Sequence, residues 1–365
     1  MRTIHLLALA AIAALLLPTL CCTDYADYYG PGGEGLDYDS GNGPYDDSDS
    51  SGSLRGEVNP LGPENTVVRA MAADEKYLFI GTDSGELLFS ALVADPPKWT
   101  SLGSVPEAVS ALAISPRDSE LLIALDRTSD TLIYRFDDSH GLIPSDDGIV
   151  DGGPVLQIGV ESGNDDMFVL TPRALYVSAD NGVTWERRLH VADVGCADFY
   201  KMAIHPLLPQ SIFIIGLCDD RPTVLRTLNG GRLFNSIELP APAGEEAWCL
   251  AASTDDPLLL VAGGRRGVWS SSDLGSSWSI ERSSAQWALN FDASYSRHNG
   301  KPLFVGLEAV HYRLLLLMGN QAGTAWQDKI VDGYTGGNDV LCPSTQLSKS
   351  CFVGTEGSGV VSLMP

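Results

Sequence analysis

The chain of 365 residues carries 23 Lys and Arg against 47 Asp and Glu, a formal net charge of −24. This argues against a nucleic-acid binder, which needs cations to displace counterions from phosphate, and against docking on anionic headgroups by charge. Hydrophobic residues make up 44% and charged ones 19%, enough for a sizeable core, while 38 Gly and 21 Pro predict many turns and no long helices.

Residues 1–22 read as an export signal. Arg2 precedes an apolar run from Leu6 to Leu17. That run is too short to cross a hydrocarbon core of ~30 Å as a helix, and it has the length of a signal-peptide core. It leads into Leu17-Pro18-Thr19-Leu20-Cys21-Cys22-Thr23, which resembles a loose bacterial lipobox with Cys21 or Cys22 as the lipidated residue. The preceding residue departs from the usual Gly, Ala or Ser, and plain secretion is the alternative. Residues 23–53 are acidic, rich in Gly and Tyr and nearly devoid of aliphatic side chains. Such a segment cannot bury enough apolar surface to offset its ordering entropy, so it reads as a disordered tether reaching roughly 30 Å.

From residue 66 the chain repeats. Units at 66–103, 104–148, 149–190, 191–240, 241–284, 285–333 and 334–365 each contain short apolar runs bounded by Pro, Asp, Ser and Gly, the pattern of buried strands. Examples are Ala111–Pro116 with Leu121–Leu125, Met202–Pro206 with Ile212–Gly216, and Cys249–Ser253 with Leu258–Ala262. Third strands are predicted at Glu86–Ser90, Leu132–Phe136, Ala174–Ser178, Val224–Thr227, Gly267–Ser270 and Arg313–Leu317. The last unit has three strands, and Ser53–Leu61 is available to supply the fourth, which would remove a free sheet edge.

The clearest repeated element is Ser178-Ala179-Asp180-Asn181-Gly182-Val183-Thr184-Trp185. It recurs as Ser271-Ser272-Asp273-Leu274-Gly275-Ser276-Ser277-Trp278. Softer copies place Thr227, Asn229, Gly231 and Phe234, and then Gln321, Gly323 and Trp326, at the same offsets. The aromatic residues follow one another at 49, 44 and 48 residues, the spacing of a repeat architecture. The Ser and Asp side chains can satisfy backbone donors of their own turn, Gly supplies a positive φ, and the aromatic residue packs between units.

This S-x-D-x-G-x-x-W pattern resembles the Asp-box, the bacterial neuraminidase repeat, and the chain is similar to single-propeller Asp-box proteins such as sortilin-like and photosystem II assembly-factor-like repeat proteins. The resemblance implies an all-β fold. Counting units makes it a seven-bladed β-propeller over 54–365, with six blades as the alternative. It also implies that the boxes are folding devices, so Asp180 and Asp273 are structural. The early Arg-Ile-Pro-type motif of sialidases is missing, which argues against that activity.

Five cysteines remain after the signal. Cys342 and Cys351 flank a turn centred on Gln346-Leu347, and as directly opposed hairpin residues they come within disulfide reach. Cys196 begins one predicted strand and Cys218 ends the next, so a second bridge is feasible, with Cys249 left as a buried thiol. No zinc-ligand spacing, phosphate loop or nucleophile elbow occurs. Acidic pairs at 146–147, 165–166, 219–220, 245–246 and 255–256 sit at predicted turns, and none has an EF-hand ligand pattern. Trp248, Trp269 and Trp287 stand near unit starts, where core packing and sugar stacking are both open.

No catalytic residue, metal or cofactor is expected. The sequence points to an exported, lipid-anchored, monomeric scaffold of the bacterial cell envelope, with a secreted or periplasmic protein as the alternative. It would bind an unknown protein or glycan, and would meet the membrane only through its anchor. A polysaccharide-acting hydrolase or glycan-binding propeller and a photosystem-assembly-like protein are the alternative functions.

Overall fold

Among the described residues, short runs rich in Leu, Ile, Val, Phe and Ala become strands, and the Pro, Asp, Ser and Gly clusters between them become turns. The computed structural model describes residues 57–365 apart from 95–96, 127–130, 138, 151–152, 162, 255, 266, 284–287, 297–300, 311–312, 320–325, 332–333, 335–336, 343–350 and 365. These belong to one unit, Arg55–Pro365. Cys21, Cys22, Gln321, Gly323 and the predicted turn at Gln346-Leu347 lie outside the described residues.

The strands form seven four-stranded antiparallel sheets. Strand β1 (Glu57–Gly62) is set aside for the last of them. The first sheet orders β2 (Val68–Ala73), β3 (Tyr77–Thr82), β4 (Glu86–Ala91) and β5 (Thr100–Ser104). The second orders β6 (Val109–Ile114), β7 (Leu121–Leu125), β8 (Ile133–Asp137) and β9 (Gly141–Pro144). The third orders β10 (Gln157–Val160), β11 (Met167–Leu170), β12 (Ala174–Ser178) and β13 (Glu186–His190). The fourth orders β14 (Cys196–Ile204), β15 (Ile212–Cys218), β16 (Arg221–Thr227) and β17 (Asn235–Glu238). The fifth orders β18 (Ala247–Ala252), β19 (Leu260–Gly264), β20 (Gly267–Ser271) and β21 (Ser279–Ser283). The sixth orders β22 (Ala288–Ser296), β23 (Lys301–Val310), β24 (Arg313–Gly319) and β25 (Trp326–Val331). The seventh combines β26 (Asp339–Leu341), β27 (Cys351–Gly354) and β28 (Val360–Met364) with β1, in the order β1-β28-β27-β26.

The first strands touch one another in a closed ring, β2 to β6, β10, β14, β18, β22, β26 and back to β2. This is an all-β propeller, and among the described residues the helical content is one 3-10 turn, Val191–Asp193. The core lies between consecutive sheets. Ala111, Leu122 and Ile133 of the second sheet share one cluster with Ile158, Met167 and Tyr176 of the third. Phe168 and Leu175 of the third share another with Phe199 and Ile212 of the fourth. Because a sheet is covered on both faces, its middle strands are apolar without alternation: β7 and β11 are buried at every residue. The fourth strands face solvent on one side, and β13 and β17 read Glu-Arg-Arg-Leu-His and Asn-Ser-Ile-Glu, mostly exposed.

Closure uses the N-terminal strand. β1 runs antiparallel to β28, with Glu57 opposite Met364 and Pro60 opposite Val361. The pairing strand begins at Glu57 and ends at Gly62, four residues later at its start than the available segment read from the sequence. Trp99 Nε1 donates to Leu61 O at 2.8 Å, tying the borrowed strand to the first sheet. Both expected disulfides are present, Cys196–Cys218 and Cys342–Cys351, and Cys249 is a buried free thiol. The ladder places Cys196 directly opposite Cys218.

Candidate functional site

The repeated turns join the third and fourth strands of their sheets and share one hydrogen-bond plan. Ser178 Oγ donates to Asp180 Oδ1 (2.7 Å) and accepts from Gly182 N (2.8 Å). Asp180 in turn accepts from Thr184 N (2.9 Å) and Thr184 Oγ1 (2.6 Å). Ser271, Asp273, Gly275 and Ser277 repeat these contacts at 2.6–2.8 Å. In the third copy Thr227 Oγ1 accepts from Gly231 N (3.1 Å), and Asn229 Oδ1 accepts from Arg232 N and Leu233 N. Gly182, Gly231 and Gly275 hold φ near +80°, where a side chain is strained.

Burial acts to raise the Asp180 and Asp273 carboxyls, but the bonds from Thr184 and Ser178, and from Ser277 and Ser271, outweigh it and hold both below the ordinary 3.8. A carboxylate so fully engaged by its own turn is poorly placed for proton transfer. The aromatic residues differ. Trp185 is buried against the second sheet, with Nε1 donating to Ser145 O at 2.7 Å. Phe234 packs on the core between the third and fourth sheets. Trp278, half-buried, packs on the core between the fourth and fifth sheets, and its Nε1 is unpaired. Trp326 opens β25 opposite Gly319.

A second repeated device escaped the sequence reading because the residue types differ. The residue after the first strand is Asp74, Ser115, Glu161, His205 and Ser253 in the first five sheets. Asp74 Oδ1 accepts from Lys76 N and Tyr77 N, both at 2.6 Å. Glu161, buried, accepts from Gly163 N and Asn164 N and from Gln210 N of the next sheet's turn (2.8–3.0 Å). His205 Nδ1 accepts from Leu207 N and Leu208 N at 3.1 Å, so its proton sits on Nε2, which faces Pro257 O at 3.2 Å. Ser253 Oγ accepts from Asp256 N at 3.0 Å. Ser115 instead meets Asp118 and Asn181, a residue of the neighbouring repeated turn. In the seventh sheet this position is Cys342, bridged to Cys351.

The opposite end of the sheets, where the first strands begin, also varies in chemistry. A bulge interrupts the ladder at the second residue of five inner strands: Arg69, Ser110, Ala197, Trp248 and Leu289. Bulges re-aim side chains and recur beside functional sites. What holds this end together does repeat. Phe79-Ile80-Gly81-Thr82 of β3 matches Phe352-Val353-Gly354-Thr355 of β27 and its following turn. A Cβ on Gly81 would lie 2.4 Å from Val109 of the next inner strand, and one on Gly354 2.7 Å from Val68. Thr82 Oγ1 accepts from Glu86 N and Thr355 Oγ1 from Ser358 N. This repeated Phe-x-Gly-Thr was the available sequence signal. Adjoining inner strands are linked by side chains that cap backbone donors: Gln157 Oε1 accepts from Met202 N (3.0 Å), and Asp339 Oδ2 from Met71 N (2.9 Å).

The acidic pairs are not gathered into one cleft. Asp146 Oδ2 accepts from Leu132 N and Asp256 Oδ1 from Leu258 N. Asp165 takes part in an ion pair with Arg117, and Asp219 and Asp220 form the two left-handed residues of the β15–β16 turn. Glu245 is buried with Oε1 unpaired. Asp255 and Trp287 lie outside the described residues. Asp198, which the sequence reading passed over, is raised by burial, with Arg173 opposing. Burial pushes the Cys249 thiol up, against Lys201 and the Gly263 amide, which leaves it protonated and unreactive. Trp269 is fully buried, so it packs the core, and Trp248 is half-buried at its bulge. Among the described residues, no three His, Cys, Asp or Glu side chains converge as a metal site.

No protein-family model matches the chain, and no curated protein matches it. The solved structure of Sqt1 from Saccharomyces cerevisiae is similar over 84% of this chain and 98% of its own, with a TM-score of 0.57 and 11% sequence identity. At that identity the likeness concerns the fold, and it agrees with the ring of sheets in showing a β-propeller.

Proposed function

We propose that this protein is a non-catalytic binding or assembly scaffold: a seven-bladed propeller with Asp-box turns, exported and held at the cell envelope by a lipid on Cys21 or Cys22. The observation that carries the reading is the division of labour among side chains. The carboxylates of the repeated turns are engaged by backbone amides and neighbouring hydroxyls, whereas the five bulge residues of the inner strands all differ. A repeated frame that carries different side chains where its inner strands begin suits selective binding. Each of the seven sheets is taken as one blade, supported by the closed ring of first strands. The Asp-box reading is supported by the matching hydrogen bonds in three turns. Export and anchoring rest on the apolar run ending at Cys21-Cys22 and the acidic stretch after it.

Glycoside hydrolysis needs two carboxylates across one bond, about 5–10 Å apart. The acids here are dispersed over separate turns, which disfavours it. Half-buried Trp248 keeps glycan binding as the second reading, because an aromatic face stacks on sugar rings. The test is capture of partners from an envelope extract with the mature protein, alongside a glycan array and a polysaccharide hydrolysis screen. A saturable partner supports the scaffold, array binding without turnover supports the second reading, and turnover overturns both.

A further inference from the structure

We propose that the end of the propeller where the inner strands begin carries an oxyanion-binding site in which Arg69 and Ser110 contact the ligand. This rests on the scaffold reading and narrows it to a ligand chemistry: a carboxylate or phosphate group. Arg69 and Ser110 occupy the same place on adjacent strands, each the bulged second residue of β2 and β6. Val109 sits against Gly81, and Gly81 is the ladder partner of Ala70. That contact joins β6 to β3, the ladder neighbour of β2, and β2 and β6 also touch directly, so the two bulges stand on adjoining inner strands.

Both residues carry donors with nothing to donate to. Arg69 Nε and Ser110 Oγ are shielded from solvent and have no hydrogen-bond partner, and Arg69 has no ion pair. Nε of Arg135 and Arg226 is likewise buried without a hydrogen-bond partner, but those side chains are engaged otherwise, Arg135 by an ion pair with Glu120 at 2.8 Å and Arg226 through Nη1 to Ser276, and Arg117 donates to two backbone carbonyls. A chain with 47 acidic residues has many ways to neutralise one guanidinium. On the adjoining strand β26, Asp339 accepts from Met71 N and Val340 N through its two oxygens. A guanidinium is always charged and its planar fork matches carboxylate or phosphate oxygens. The neighbouring hydroxyl adds a donor, so the pair selects an oxyanion over a cation.

The test uses the full mature chain, with inorganic phosphate, sulfate and succinate as probes at fixed ionic strength, read by calorimetric titration and by Tm. At least one probe is expected to bind saturably and raise Tm. Arg69→Gln should weaken that binding at least tenfold and Ser110→Ala about threefold, with chloride-buffer Tm nearly unchanged. If Arg69→Gln does not fold, Arg69→Lys serves, because it keeps the charge and loses the fork. Phosphate or succinate preference tells which oxyanion the site takes. No saturable binding by any probe, or equal binding by the Arg69 variant, overturns the proposal. Partner capture is a separate readout: capture without anion binding keeps the scaffold and removes the site, and anion binding without capture does the reverse.

Discussion

Ser178, Thr227 and Ser271 do one job in three turns, as do Asp180, Asn229 and Asp273, and the comparison sets the size of the expected effects. Asp180→Ala removes the acceptor for two Thr184 donors and the Ser178 hydroxyl. It should cost about 1–3 kcal/mol by denaturant unfolding. Asp180→Asn should cost less, because Asn229 holds its turn with the same oxygen. Acid sensitivity follows from the directions of the shifts. Burial lowers His205 below its ordinary 6.5, against the Pro257 carbonyl and Asp256. The unfolded chain then takes up a proton first. This contribution is whole above about pH 6.5 and is lost as the pH falls through the lower folded value. The depressed Asp180 and Asp273 act later, below 3.8. Urea midpoints measured against pH should show both losses, and His205→Asn, which keeps an acceptor near the turn, should lack the first.

At the level of strands and turns, the packing of each aromatic residue decides what its removal does. Trp185→Ala should cost about 3–5 kcal/mol through the cavity left beside Leu122 and Met167. The half-buried Trp278→Ala should cost clearly less, and thermal unfolding of the pair gives the comparison. The borrowed strand is the other sensitive element. Deleting residues 55–62 removes the β28 partner and the acceptor of Trp99. The loss should be on the order of 3–5 kcal/mol, from several ladder hydrogen bonds at roughly 0.5–1.5 kcal/mol each. The bared edge of β28 would also invite pairing between chains, so light scattering should rise with concentration in the truncated protein.

For the whole molecule, the proposed anchor makes the sharpest prediction. One acyl chain binds a membrane only marginally, and two or more make anchoring stable. The mature protein should therefore partition with detergent from the membrane fraction, and replacing both Cys21 and Cys22 by Ser should release it or block its processing. The wild type found wholly soluble with an unmodified N-terminus would remove the anchor from the proposal. The acidic tether and acidic propeller should both be repelled by an anionic leaflet, which keeps the domain clear of it.

The repeated turn was legible in the sequence because its chemistry is local: eight residues contain the hydroxyl, the carboxylate, the glycine and the donors they satisfy. Strand positions were legible for a related reason. A sheet covered on both faces demands unbroken apolar runs, and Leu121–Leu125 was read with its observed bounds. The Cys342–Cys351 bridge followed from hairpin geometry, whereas Cys196 and Cys218 were legible only as a feasible pair at two strand ends, since two bulges in β14 bring them into direct opposition. Asp74, Ser115, Glu161, His205 and Ser253 were not legible as a set, because any acceptor of suitable reach closes that turn, and no residue type repeats. Arg69 and Ser110 required the tertiary structure altogether. Bulges on two inner strands place them, and packing between consecutive sheets leaves their donors buried without partners. Those strands are separated along the chain and meet only when one sheet packs on the next.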